Sequence, residues 1–307
     1  MTEYCLETPV AFIIFNRPET TARVFAEIAK AKPPKLLVVG DGARINREGE
    51  EAKVTATRAI IDSVDWPCEV LTNYSEINLG CKRRVSSGLD WVFDQVPEAI
   101  ILEDDCLPHP SFFRFCEEML TRYRTDQRIS HINGNNFQFG NRISDDSYYF
   151  SSFVHVWGWA SWRDRWQNDY DVSMKCWPRI RDEGRVEDWT ANPSLQKYLK
   201  AVFDQTYSGK VDTWDYQWSF AARINGRLTV VPNVNLITNI GFGKDATHTM
   251  GSNRVLANML GEEIYFPLVN PDEVYACRLL DEKYAHRFLI ISIYQRLINK
   301  VYRLLRS

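Results

Sequence analysis

Through residue 133 the chain alternates short apolar runs with longer amphipathic stretches, and this order restricts the fold more than any other feature. The runs at 10–15, 35–39, 69–72, 99–102 and 129–133 are too short for helices, and most are rich in Val, Ile and Leu. Short apolar runs of this composition predict strands buried on both faces. The stretches between them, at 18–31, 48–64, 85–96 and 111–124, read as helices, the first opened by Pro18, which suits a first helical turn. The order predicts an α/β fold, a Rossmann-like and mainly parallel sheet with helices on both faces. Such sheets bind ligands at the carboxyl ends of their strands. Polar residues gather at those ends: Asn16 and Arg17, then Asp41, then Glu103, Asp104 and Asp105.

After about residue 140 the pattern changes. Aromatic residues crowd between 148 and 166, including Trp157, Trp159, Trp162 and Trp166. Helices are expected at 194–207 and 216–225, and short strands at 228–231 and 234–237. No Pro/Gly/Ser linker intervenes, so the boundary near 140 divides one fused unit by function. Lys and Arg number 37 against 40 Asp and Glu, which weighs against a general nucleic-acid binder. With 45% hydrophobic residues, intrinsic disorder is excluded as well. The 7 cysteines form no CxxC pair, and their odd number excludes a fully paired disulfide scaffold. Reduced thiols and the absence of a signal-peptide pattern predict a cytoplasmic protein.

Three consecutive acids at the end of an apolar strand suit a bound cation. Carboxylate oxygens match Mg²⁺ or Mn²⁺, which bind through one or two protein acids when substrate phosphates supply the rest. The alternative is a solvated acidic turn. The segment resembles the DxD element of GT-A glycosyltransferases. In its Glu-Asp-Asp form it is similar to the Golgi N-acetylglucosaminyltransferase family that initiates complex N-glycans. Other segments resemble that family in the same order: 10–17 its first strand, 39–42 its second-strand turn, 157–159 its Gly-Trp element, 213–218 its Trp-Asp motif, and 241–248 its phosphate-covering loop. The likeness spans roughly residues 9–250. Asn16 stands where the family has an acid, the Trp-Asp motif has one acid in place of two, and the anchor and stem are missing.

The resemblance implies a metal-dependent hexosyl- or N-acetylhexosaminyltransferase that uses a nucleotide-diphospho-sugar, with a UDP-sugar as the expected donor. Residues 1–140 would bind the donor, 141–255 would bind the acceptor and carry the chemistry, and 256–307 would form a helical tail. Asp105 is the expected ligand of Mn²⁺ or Mg²⁺, with His248 as a second ligand or a phosphate contact. Asn16, Arg17, Asp41, Glu103 and Asp104 would contact the nucleotide. Arg84 is the expected diphosphate contact among Lys82, Arg83 and Arg84, which follow a glycine-bearing turn. Trp157, Gly158, Trp159 and Trp214 would line the acceptor cleft. Asp215 would be the general base. One base without a second nucleophilic carboxylate implies direct displacement with inversion. Each residue also has a structural reading: a solvated helix face for the basic trio, a turn residue for Asp41, a helix-dipole contact for Asp215, and core packing for the tryptophans.

Two rival functions stay open. A sugar nucleotidyltransferase would want a Gly-rich phosphate loop directly after the first strand, where this chain has Asn16, Arg17 and Pro18. A non-catalytic nucleotide- or carbohydrate-binding module would retain the fold without the base. From Lys283 onward the chain is basic and amphipathic, without an acid. It suits either a helix docked on the domain or one lying on an anionic membrane surface. With the second reading, the acceptor would be a glycan or lipid-linked glycan at the inner face of the membrane, in bacterial surface polysaccharide synthesis.

Overall fold

The structure is a computed structural model that describes residues 4–242, Leu256 and 259–290. Strands β1 (Val10–Ile14), β2 (Lys35–Gly40), β3 (Glu69–Tyr74) and β4 (Glu98–Glu103) lie in the order β3-β2-β1-β4, all parallel. Helices α1 (Pro18–Ala31), α2 (Glu50–Ala59) and α3 (Gly80–Gln95) connect them. Strand alternation assigns the faces. Val10, Phe12, Ile14, Leu36 and Val38 pack with α1 and with α4 (Ser111–Tyr123), while Ala11, Ile13, Leu37 and Val39 pack with α3. Both faces are buried, which explains why these strands read as continuous apolar runs.

After β5 (Cys106–Pro108), the sheet continues through β6 (Ile129–Asn133), β7 (Tyr148–Ser151), β8 (Trp159–Trp162) and β9 (Leu228–Pro232). The full order is β3-β2-β1-β4-β8-β6-β9-β7. β8 enters antiparallel between β4 and β6, so the parallel half passes into a mixed half within one sheet. The aromatic-rich stretch therefore supplies strands as well as core. Trp159 stacks on the His131 ring at 4.9 Å and on Trp214 at 5.7 Å.

Three boundaries differ from the sequence reading. Helix α3 starts at Gly80, not near 85, because the Asp41 carboxylate accepts hydrogen bonds from the Leu79 and Gly80 amides and supports an earlier first turn. The stretch expected as a strand at 234–237 becomes a turn followed by β10 (Ile237–Asn239), which pairs with β5. Asn235 Nδ2 holds that turn by donating to the carbonyls of Ile237 and Leu260. The helix expected to 64 ends at Ala59 and tightens into a 3₁₀ turn over Ile60–Ser63.

A third apolar cluster lies beyond the sheet. Helices α5 (Arg163–Asp169), α6 (Trp177–Asp182) and α7 (Pro193–Tyr207) lead to α8 (Asp215–Ile224), and α9 (Arg278–Tyr284) follows the last strand. Trp177, Ile180, Leu199, Phe203 and Phe220 fill the space where α6 and α7 pack on α8. α8 thus separates this cluster from the tryptophans behind the sheet, where Trp218 is fully buried. The start of the basic tail docks: Tyr284 packs on Phe153 at 4.9 Å and Arg287 lies 3.8 Å from the Phe139 ring centroid. Its continuation from 291 lies outside the described residues. No helix among the described residues is long and apolar enough to cross a membrane.

Candidate active site

The acidic triplet closes the carboxyl end of β4, next to the end of β1. The Phe15 amide donates to Asp104 Oδ2 at 3.1 Å, which ties the two strand ends together. Arg17 Nη1 lies 2.6 Å from Asp105 Oδ2 and 3.4 Å from Asp104 Oδ1. Burial lowers the proton affinity of the Arg17 guanidinium, but the charges of Asp104 and Asp105 outweigh this and hold it above its usual range. Burial also pushes Glu103 well up, and the charges of Asp105, Asp104 and Asp215 push it further. Asp104 rises to about 7, mainly because it is buried.

Three carboxylates thus share a buried strand end with one guanidinium. The donor set is oxygen only, which suits a hard divalent cation. Among the described residues no three His, Cys, Asp or Glu side chains converge into a metal cage. A cation at this strand end would be held through Asp105, which now pairs with Arg17, with phosphate oxygens completing its shell. Gly241 packs so close to Asp105 that an added Cβ would run into Oδ2. His248, the second expected ligand, lies outside the described residues.

Other expected donor contacts turn out to hold the frame. Asp41 is buried, and besides the Leu79 and Gly80 amides it accepts from Gly42 N and from Asn78 Nδ2. Burial raises its proton affinity against the pull of those donors. Its carboxylate organises the loop before α3. Arg84 is a correction to the sequence reading: its side chain turns inward at 5% exposure. Its Nε donates to the Gly40 carbonyl at 3.1 Å and its Nη2 donates to the Asn73 carbonyl and to Asn73 Oδ1. It clamps the ends of β2 and β3 in place of a diphosphate. Asn16 Nδ2 donates to Glu50 Oε1 at 2.9 Å, and Glu50 also pairs with Arg44.

The aromatic expectations divide. Trp159 is fully buried and Trp214 is 2% exposed, so neither can stack on an acceptor, which corrects the reading of both as cleft residues. Gly158 is buried at φ 59, with its carbonyl bound to the Gly134 amide at 2.7 Å, and serves close packing. Trp157 does line a cavity, edge-on to Phe137 at 5.4 Å.

That cavity, of about 240 Å³, also takes in Asp215. Asp215 is the first residue of α8, and Thr213 Oγ1 donates to its Oδ1. Its charge acts on Glu103. Asp215 thus brings a carboxylate to an aromatic-walled cavity at the head of α8. Tyr198, Tyr216, Ser219, Arg223 and Tyr284 also line the cavity, and sequence reasoning did not name them. A signal was present for part of the set, since Asp215, Ser219 and Arg223 recur at the i, i+4, i+8 spacing of one helix face.

No protein-family profile and no curated protein sequence matches the chain. Among solved structures, residues 1–349 of S. aureus TarS share 9% identity, with a TM-score of 0.43, over 76% of this chain and 59% of that one. The chain thus matches less than two thirds of TarS 1–349. A UDP-glucose pyrophosphorylase complexed with UDP-glucose shares 9% identity, with a TM-score of 0.37, over 74% of this chain and 90% of that one. The 4-diphosphocytidyl-2C-methyl-D-erythritol synthase from Anaerococcus prevotii shares 9%, with a TM-score of 0.32, over 53% and 76%.

Proposed function

We propose that the protein is a glycosyltransferase that moves a sugar from a nucleoside-diphosphate donor, a UDP-sugar, to an acceptor hydroxyl with inversion. The observation that carries this reading is the position of Asp215, which heads α8 and lines the aromatic cavity beside Trp157. A sugar held between this cavity and the acidic end of β4 would have a base on its acceptor side and a cation-suited carboxylate on its diphosphate side. Asp105 would hold Mn²⁺ or Mg²⁺, which when bound supplies charge neutralisation at the departing diphosphate. Arg17, paired with Asp105, would orient that carboxylate and add positive charge near the phosphates. Asp215, aligned by Thr213, would accept the proton of the acceptor hydroxyl as its oxygen attacks the anomeric carbon. Trp157 and Phe137 would shelter the acceptor and cover its apolar face.

Calorimetric titration with UDP, GDP, CDP and dTDP, each with and without Mn²⁺, tests the donor half. The expected result is metal-dependent binding of UDP that Asp105→Ala abolishes. No nucleotide binding under any metal condition would refute the reading.

A further inference from the structure

We propose that the cavity beside Asp215 is a subsite for an acceptor bearing an anionic group, a carboxylate or a phosphate, recognised by Arg223. This deepens the transferase reading and rests on it. Arg223 is 8% exposed and lines the cavity, yet its Nε and Nη2 are buried without a hydrogen-bond partner. Its guanidinium lies against the Phe153 ring at 4.7 Å, an aromatic support that leaves the hydrogen-bonding edge unused.

Asp281 does not neutralise it directly. The charge of Asp281 acts on Arg223, but no ion pair joins them among the described residues. Asp281 is instead fixed by Ser151 Oγ at 2.5 Å and by the Ser152 amide at 2.9 Å. A buried cation without a close partner is costly, and an arriving anion offsets that cost. Burial lowers the Arg223 pKa only to about 10, so the side chain is a cation at neutral pH. The planar fork suits bidentate binding of a carboxylate or phosphate.

Spacing sets the reach. Asp215 and Arg223 lie eight residues apart on one helix face, roughly 12 Å along the axis at about 1.5 Å per residue. Their side chains converge on a cavity of about 240 Å³, smaller than the roughly 300–1,000 Å³ of drug-sized sites. One sugar-sized group fits, with its hydroxyl toward Asp215 and its anionic substituent toward Arg223. Tyr198, Tyr216 and Ser219 add hydroxyl-bearing side chains to the lining.

The test is calorimetric titration of the full chain with methyl β-D-glucuronide, sn-glycerol 3-phosphate and neutral methyl β-D-glucoside. The wild type should bind one of the two anions about ten- to a hundredfold more tightly than the glucoside, as a charged hydrogen bond implies. Which anion binds distinguishes a uronic acid from a phosphate-bearing acceptor. Arg223→Gln should erase the preference, and Arg223→Lys should keep part of it. A wild type without preference overturns the proposal whether or not the variants fold. UDP with Mn²⁺ is titrated in the same preparations. If Arg223→Gln weakens UDP binding, Arg223 serves the donor and the subsite is refuted. If the anion preference holds while UDP never binds, the transferase reading fails and the anion subsite stands.

Discussion

Lowering the pH should destabilise the protein through one buried imidazole. His131 is fully buried on β6. Its Nε2 donates to the His155 carbonyl at 2.8 Å, and its Nδ1 accepts from Trp218 Nε1 at 3.0 Å. The neutral Nε2–H tautomer satisfies both partners, whereas a second proton on Nδ1 would face the indole N–H. Burial accordingly lowers its pKa from 6.5 to about 4. Above pH 6.5 the imidazole is neutral in both folded and unfolded chains and costs nothing. As the pH falls from 6.5 toward 4, the unfolded chain takes up the proton and the folded one does not, so stability is lost across that window. Two and a half units at about 1.36 kcal/mol each amount to about 3 kcal/mol. Urea unfolding at a series of pH values would measure this for the wild type and for His131→Gln, which carries no titrating ring. Other titrating groups, including His155, lie in both chains and largely cancel in the difference. The variant should be less stable at pH 7.5 and should lose about 3 kcal/mol less on acidification. Equal pH slopes in the two chains, or an NMR titration of folded His131 centred near 6.5, would refute the reasoning.

Three substitutions probe the site and its frame. Asp215→Asn should lower kcat by about 10²–10⁴ and leave UDP binding unchanged, and an unaltered kcat in steady-state assays would remove Asp215 as the base. Gly158→Ala should cost about 2–4 kcal/mol in urea unfolding, because Gly158 has φ 59 and a Cβ there would meet Ile237 Cγ1 at 2.8 Å. Asp41→Ala should cost about 2–4 kcal/mol by leaving the amides of Gly42, Leu79 and Gly80 without their acceptor, and a loss under 1 kcal/mol would argue that water replaces the carboxylate.

The parallel half of the sheet was legible because strands buried on both faces need apolar interiors, as in β1 and in the middle of β2 and β4. Their ends were legible for the same reason: Glu103, Asp104 and Asp105 break an apolar run abruptly. What could not be read was the direction of each polar side chain. Asp41 and Arg84 have the residue types of ligand contacts, yet both are spent on backbone groups, a choice made by the loop that folds over them. The mixed half was harder still. Its strands β7 and β8 are four residues each, and their aromatic sequences suit a core helix equally well. Trp157 and Trp159 are separated by Gly158, whose φ of 59 turns the chain, and Trp157 lines the cavity while Trp159 is buried in the core.

Helix α8 explains why the candidate base can be both accessible and firmly held. Trp214 precedes it, and Trp218 and Ala221 point toward the sheet, where they pack with Trp159 and Trp166. Trp218 is further fixed by its hydrogen bond to His131. Asp215, Ser219 and Arg223 occupy another face and line the cavity, while Phe220 packs with α6 and α7. The helix is therefore gripped on two sides and open on a third. A base mounted this way has a backbone fixed by the helix and a carboxylate aligned by Thr213, which is what a proton transfer over hydrogen-bond distance would require. The same rigidity sets the distance from Asp215 to Arg223, so in the proposed subsite an acceptor that satisfies one end would be measured against the other. Shifting the helix by one turn would move both groups together and leave that measure intact, whereas loosening Trp218 would blur it. Because the folded chain keeps His131 neutral down to about pH 4, the His131–Trp218 bond holds the helix in place across the window in which acid lowers stability.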